Sequence, residues 1–177
     1  MATTQSTTAA EPRAEVSLAN DLAAKMLQGW NSHRPDSLLS VMTKDVVYED
    51  ASWPRKMRGH ADVREFLEST WRAVPDLSFE FEDVLVSEDG SQFAHYWHAS
   101  ATQTGRWDPP GLAATGRQVK FEGLFLGEIR DGQLCRIRVV YDVATIMRQA
   151  GILPQPGSRR EQLMLALANL QARLGRR

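Results

Sequence analysis

The sequence predicts an α+β fold: helices packed on one face of an antiparallel sheet, followed by an extra C-terminal helix. Three observations carry this. Apolar residues recur at helical spacing between residues 18 and 42 and again over 60–74. From residue 77 the period changes to two, over four consecutive runs. Between the last two runs stands Asp131-Gly132, the signature of a two-residue hairpin turn. Helices first and strands afterwards is the α+β order.

The elements follow in chain order. Residues 1–15, small and polar without periodicity, read as a disordered tail. Ser17 is placed to cap a helix whose stripe is Leu18, Leu22, Met26, Leu27 and Trp30. A short helix opens at Pro35 and carries Leu38, Leu39 and Met42. DVVYED, 45–50, alternates as a strand, and 51–59 reads as a loop. A helix over 60–74 sets Val63, Phe66, Leu67 and Trp71 on one stripe, and Pro75-Asp76 ends it. Strands are expected at 77–87, 92–104, 118–130 and 133–141, with a long loop at 105–117. Residues 143–150 form a short helix closed by Gly151. Ser158 and Glu161 make a capping box for a last helix, whose Leu163, Leu167, Leu170 and Leu174 form a seam. The division is a tail (1–15), an α+β domain (16–155) and a helical extension (156–177).

Composition excludes several classes. The 177 residues fit one domain, and 42% hydrophobic with 24% charged is globular usage. Twenty-one basic against 22 acidic residues argues against a nucleic-acid partner. Cys135 is the only cysteine, which fits a reduced, cytoplasmic setting. No apolar run reaches the ~20 residues of a membrane span, and the start lacks a signal-peptide layout. No phosphate-binding glycine motif, nucleophile elbow or Cys/His pair is present. His95 and His98 point to opposite faces of one strand, so no metal site is expected.

Strand parity selects the interior. With a plain two-residue turn at Asp131-Gly132, Leu124 faces Val139, Leu126 faces Ile137 and Glu122 faces Tyr141. That apolar face is taken as the inner one. In 92–104 the odd positions Phe93, His95, Trp97, Ala99, Ala101 and Gln103 turn inward, and in the first strand Val46, Tyr48 and Asp50. The result is an aromatic interior with few polar groups, in which a buried carboxylate is costly unless used.

The chain is similar to the nuclear-transport-factor-like cone fold and, within it, to the SnoaL-like polyketide cyclases and ketosteroid isomerases. The cyclase-like segments are WHASATQTG (97–105), GLAATGRQVKFEG (111–123), RDGQL (130–134) and YDVATIMRQAGILP (141–154). The isomerase-like signal is VVYED (46–50) followed by HADVREFL (60–67). The resemblance implies a cone-shaped fold with a curved sheet, a deep pocket and a homodimer. It places Asp50 where the isomerases hold their general base. Departures are equally plain. The isomerase oxyanion pair falls at about Met26 and Leu124, and the cyclase acid/base aspartate and its histidine fall at Val139 and Ile137. The Asp-Arg-Asp set of the related epoxide hydrolases is represented by Asp50 alone.

The catalytic candidates are therefore Asp50 and His95, with Asp142 below them. Asp50 in an apolar pocket would have a raised pKa and act as a base; the competing reading is a strand-end aspartate bonded to the amides of 51–53. His95 offers a donor or acid/base partner, against a histidine merely bonded within the core. Asp142 points away from the pocket and precedes a helix, so it reads as an N-cap. Substrate contacts are expected from Tyr48, Trp53, Trp71, Trp97, Gln103, Leu124, Val139 and Tyr141. The expected function is proton transfer next to a carbonyl in a hydrophobic polyketide-like or terpenoid molecule, as a cyclase or isomerase without cofactor. The alternatives are a non-catalytic module that binds such a molecule or dimerises, and an epoxide hydrolase-like enzyme.

Overall fold

A computed structural model describes residues 14–175. Two helices open the chain, α1 (Ala14–Ser32) and α2 (Pro35–Leu39). Strands β1 (Met42–Glu49) and β2 (Met57–Arg58) lead into α3 (Gly59–Ala73). Four long strands follow: β3 (Ser78–Val86), β4 (Gln92–Thr102), β5 (Gln118–Arg130) and β6 (Gln133–Tyr141). Helices α4 (Val143–Gln149) and α5 (Arg159–Leu174) end the chain. The expected tail lies outside the described residues apart from Ala14 and Glu15, which belong to α1. Since α1 starts at Ala14, Ser17 stands inside the helix and is no cap.

One six-stranded sheet has the order β2-β1-β6-β5-β4-β3. All pairs are antiparallel except β1 with β6, which run parallel. The parallel pair follows from the chain path: β1 lies between β2, its neighbour in sequence, and β6, the last strand of the chain. β2 falls within the expected loop; its two residues are too few to show a period. Helices α1 and α3 cover the inner face of the sheet. Leu22, Met26 and Trp30 of α1 and Val63, Phe66 and Leu67 of α3 are buried in one core with Trp97 and Phe125. Trp30, Phe79, Trp97 and Phe125 meet in tilted and edge-on contacts, the closest being Trp30 on Phe79 at 5.1 Å. Each such pair adds ~0.5–1.5 kcal/mol beyond its buried area.

The β5–β6 register departs from the expected one. The turn itself is as predicted: Asp131 and Gly132 have φ of 52° and 75°, the left-handed pair that this hairpin type requires. Arg130 pairs with Gln133 and Ile129 with Leu134, but Glu128 then pairs with Arg136. Cys135 is the extra residue of a β-bulge, and beyond it the register is shifted by one. Phe125 therefore faces Val139, and Gly123 and Gly127 face Tyr141 and Ile137. A one-residue slip turns every side chain to the other face. Leu124 and Leu126, expected inside, stand on the outer face at 37% and 38% exposure. The inward glycines make room for rings. A Cβ at Gly123 would meet Trp97 Cζ2 at 2.6 Å, and one at Gly127 would overlap the Phe93 ring.

Candidate active site

The inner face of β1 carries Val46 and Tyr48 and ends at Asp50, just past the last residue of the strand. The chain turns back at Asp50 because its side chain accepts from Ser52, two residues on, in an Asx-turn. Asp50 Oδ1 accepts from the Ser52 amide at 2.8 Å, from Ser52 Oγ at 2.6 Å and from the Tyr141 hydroxyl at 2.6 Å. No described residue donates to Oδ2. Burial raises the Asp50 pKa above the ordinary carboxylate value, and the Ser52 and Tyr141 bonds only partly offset it. Of the two sequence-based readings of Asp50, the structure contains both: it is desolvated and it is bonded to a loop amide.

Tyr48 is fully buried two residues before Asp50, and its hydroxyl has no partner. Burial first, then the neighbouring Asp50 charge, holds its pKa well above the usual phenol value, so it is a protonated donor. Tyr141 is held up in the same way.

These groups share a narrow cavity of about 50 Å³, measured to the centre of a water molecule. Trp30, Phe79, Trp97 and Phe125 form an apolar wall, Tyr48, Asp50, Ser52 and Tyr141 a polar one, and Trp107 also lines it. Space of this size holds a few waters, each needing ~10–15 Å³. Asp50, Val139 and Tyr141 also border an outer groove that includes Trp53, Arg55, Lys56 and Arg138. The base candidate thus stands in the partition between cavity and surface.

The remaining sequence-predicted residues are placed as follows. Trp97, Val139 and Tyr141 line the cavity with Tyr48 and Asp50. Trp53 borders the outer groove. Trp71 packs away from the cavity, stacked on His33 at 5.4 Å and edge-on to Trp30. Gln103 is buried and spent on the 105–117 loop: its amide donates to the Ala113 carbonyl at 3.2 Å and accepts from Thr115 Oγ1 at 2.9 Å. Leu124 lies on the opposite side of the sheet, for the bulge reason given above. His95 faces inward but does not line the cavity. It is 1% exposed among Phe81, Phe93 and Phe125, and neither ring nitrogen has a partner. Burial alone lowers its pKa to about 4, so it is neutral. Phe125, which lines the cavity, packs against the His95 ring at 6.0 Å. Asp142 is the N-cap of α4: it accepts from the Thr145 amide at 3.0 Å and from Thr145 Oγ1 at 2.7 Å, and these bonds lower its pKa.

Sequence reasoning missed Ser52, Thr70, Trp30 and Phe125 as cavity residues. For Ser52 a signal existed, the Asp-x-Ser spacing of an Asx-turn at a strand end. For Phe125 the signal was hidden by the bulge.

A family model described as SnoaL-like polyketide cyclase matches residues 20–150. The chain belongs to that family. No curated protein matches the sequence. Among solved structures, a proposed SnoaL-like polyketide cyclase from Jannaschia sp. CCS1 is 17% identical, with a TM-score of 0.71 over 82% of this chain and 100% of that one. AclR, a proposed hydroxylase from Streptomyces galilaeus, is 21% identical, with a TM-score of 0.68 over 91% and 96%. A hypothetical protein from Catenulispora acidiphila DSM 44928 with a ketosteroid isomerase-like fold, in complex with trimethylamine, is 11% identical, with a TM-score of 0.64 over 75% and 94%. The fold is thus the cone shared by the SnoaL-like cyclases and the isomerase-like proteins, as the sequence resemblance implied. Family and fold support a cyclase or isomerase type of function. Among the described residues no helix is long and apolar enough to cross a membrane, and no three His, Cys, Asp or Glu residues cluster as a metal site.

Proposed function

We propose that this SnoaL-like chain catalyses proton transfer at the carbon next to a carbonyl in a hydrophobic polyketide-like or terpenoid molecule. The observation that carries the reading is the Asp50 carboxylate: desolvated, held by three bonds on Oδ1, and free on Oδ2. Oδ2 removes the proton from the carbon, and the developing enolate oxygen takes a hydrogen bond from the Tyr48 hydroxyl. The enolate carbon then either regains the proton elsewhere along the conjugated system, an isomerisation, or attacks a second carbonyl carbon. In the second case Asp50 returns its proton to the new alkoxide, closing a ring. One base and one donor supply both outcomes, so the step asks for no cofactor. The protein works as a cytoplasmic homodimer, and its substrate enters by displacing Trp107 and widening the cavity. Among the described residues no arginine or second aspartate lines the cavity to support epoxide opening.

The test follows hydrogen–deuterium exchange at the α-carbons of 2-tetralone, a flat hydrophobic ketone, by NMR. Asp50→Asn keeps an acceptor for the three donors and lowers the catalysed rate ~10²–10⁴-fold. Asp142→Ala, which removes only the α4 cap, leaves the rate per folded molecule unchanged. Equal rates for wild type and Asp50→Asn would overturn the assignment. A second reading rests on Val139 and Ile137, apolar where the cyclases carry acid/base groups: the cavity binds its ligand without chemistry. Tight 2-tetralone binding by both proteins, with no catalysed exchange by either, decides for it.

A further inference from the structure

The cavity is too small as it stands for the molecule proposed to react in it. Sites for small organic ligands run to ~300–1,000 Å³, and this one holds about 50 Å³. Some part of its wall has to move. Most of the wall belongs to strands and helices, whose displacement would break the sheet or open the core. Among the described residues that line the cavity, Trp107 alone stands in the long loop between β4 and β5, residues 103–117. Trp107 is half-buried, and its neighbours Arg106 and Asp108 are exposed.

Both feet of this loop are fixed. At the first, the Gly105 amide donates to the Ala73 carbonyl at the end of α3, at 2.9 Å. A Cβ at Gly105 would stand 1.9 Å from the Arg72 carbonyl oxygen, so only glycine lets the chain come this close. At the second, the Gly116 amide donates to the Gln103 carbonyl at 2.9 Å, and the buried Gln103 side chain holds Ala113 and Thr115 as described above. Between the feet, residues 106–112 close on themselves. Trp107 and Leu112 each donate their amide to the other's carbonyl at 2.9 Å, and the Gly111 amide donates to the Trp107 carbonyl at 2.8 Å. A segment bonded in this way moves as one piece. Among the described residues, one hydrogen bond joins it to the rest of the protein: the Ser69 hydroxyl donates to the Asp108 carbonyl. Ser69 is buried within α3, where serine is a weaker helix former than alanine, and its hydroxyl is spent outside the helix.

We infer that residues 106–112 are a lid that swings between the two fixed feet, and that Ser69 is the latch that holds Trp107 in the cavity wall. This rests on the cavity being the substrate site, as proposed above. Ser69 is a positioning residue: it acts through Trp107 and touches none of the reacting atoms. Open, the lid withdraws the indole ring and joins the cavity to solvent. Closed, it shuts bulk water out of the space beside Asp50 and Tyr48. Opening breaks one hydrogen bond and uncovers one ring, and disturbs no strand or helix. The same lid is passed on entry and on exit, so the latch sets the speed of binding and release and not the affinity.

Two measurements on the full chain test the lid and its latch. The first needs no ligand and follows amide hydrogen–deuterium exchange by NMR. In wild type the Trp107, Gly111 and Leu112 amides are expected to share one opening constant, larger than that of the Gly105 and Gly116 amides at the feet. Ser69→Ala, a substitution that favours the helix, speeds the three together ~3–10-fold and leaves the feet unchanged. The second is stopped-flow tryptophan fluorescence with 2-tetralone. The latch is made again when the lid closes over the ligand, so Ser69→Ala raises the association and dissociation rates by the same ~3–10-fold and leaves Kd unchanged. A site merely loosened by the substitution would lose affinity instead. Unchanged exchange at the three amides, or equal acceleration at the feet, overturns the lid and its latch. A weaker Kd at an unchanged association rate overturns the gating role of Ser69. Faster lid amides, with no binding of 2-tetralone by either protein, overturn the cavity as the substrate site and leave the lid standing.

Discussion

His95 should make this protein sensitive to mild acid in a way that a single substitution removes. The ring is buried among Phe81, Phe93 and Phe125, with both nitrogens unpartnered, and its pKa is lowered to about 4. In the unfolded chain histidine titrates near 6.5. Between these values the unfolded chain holds the proton and the folded chain does not, so stability falls as the pH falls. The difference amounts to about 2 kcal/mol between pH 7 and pH 5, and about 3 kcal/mol by pH 4. Asp50 acts with the opposite sign. Its raised pKa adds stability below the ordinary carboxylate range, and that stability is lost as the pH rises through the folded value. The Asp50 contribution is common to wild type and His95→Leu, so it cancels in their difference. The assay is urea unfolding of both proteins at pH 7 and pH 5. His95→Leu is also expected to be the more stable at pH 7, since it leaves no buried nitrogen unpaired. The same loss between pH 7 and pH 5 in both proteins would refute the reasoning.

Two further outcomes follow from the site and the sheet. Tyr141→Phe removes one of three bonds to Asp50 Oδ1, so the Asp50 pKa rises further and the acidic limb of the exchange rate, where the base loses its proton, moves to higher pH; carboxyl-carbon NMR titration reads the shift directly. Gly127→Ala drives a Cβ into the buried Phe93 ring and costs ~1–3 kcal/mol in urea unfolding, whereas Gly132→Ala meets no atom and is limited by its positive φ alone.

Local order determined most of the elements. Period and punctuation located α3 to within one residue, β5 and β6 at their ends, and the α4 cap at Asp142, because these depend on neighbours along the chain. Parity along an uninterrupted strand placed Tyr48, Asp50, His95 and Trp97 on the inner face. Tertiary structure decided what parity could not carry across a bulge. Cys135 adds one residue to β6, and that single insertion turned Leu124 and Leu126 outward and Phe125 inward. It also decided depth, which has no sequence signature: Asp50 and His95 both face inward, yet of the two only Asp50 lines the cavity, and His95 is packed among Phe81, Phe93 and Phe125. The bond from Tyr141 to Asp50 spans 91 positions and exists because β6 lies parallel beside β1. A sequence states which faces two strands present; only their pairing brings the groups on those faces within reach of one another.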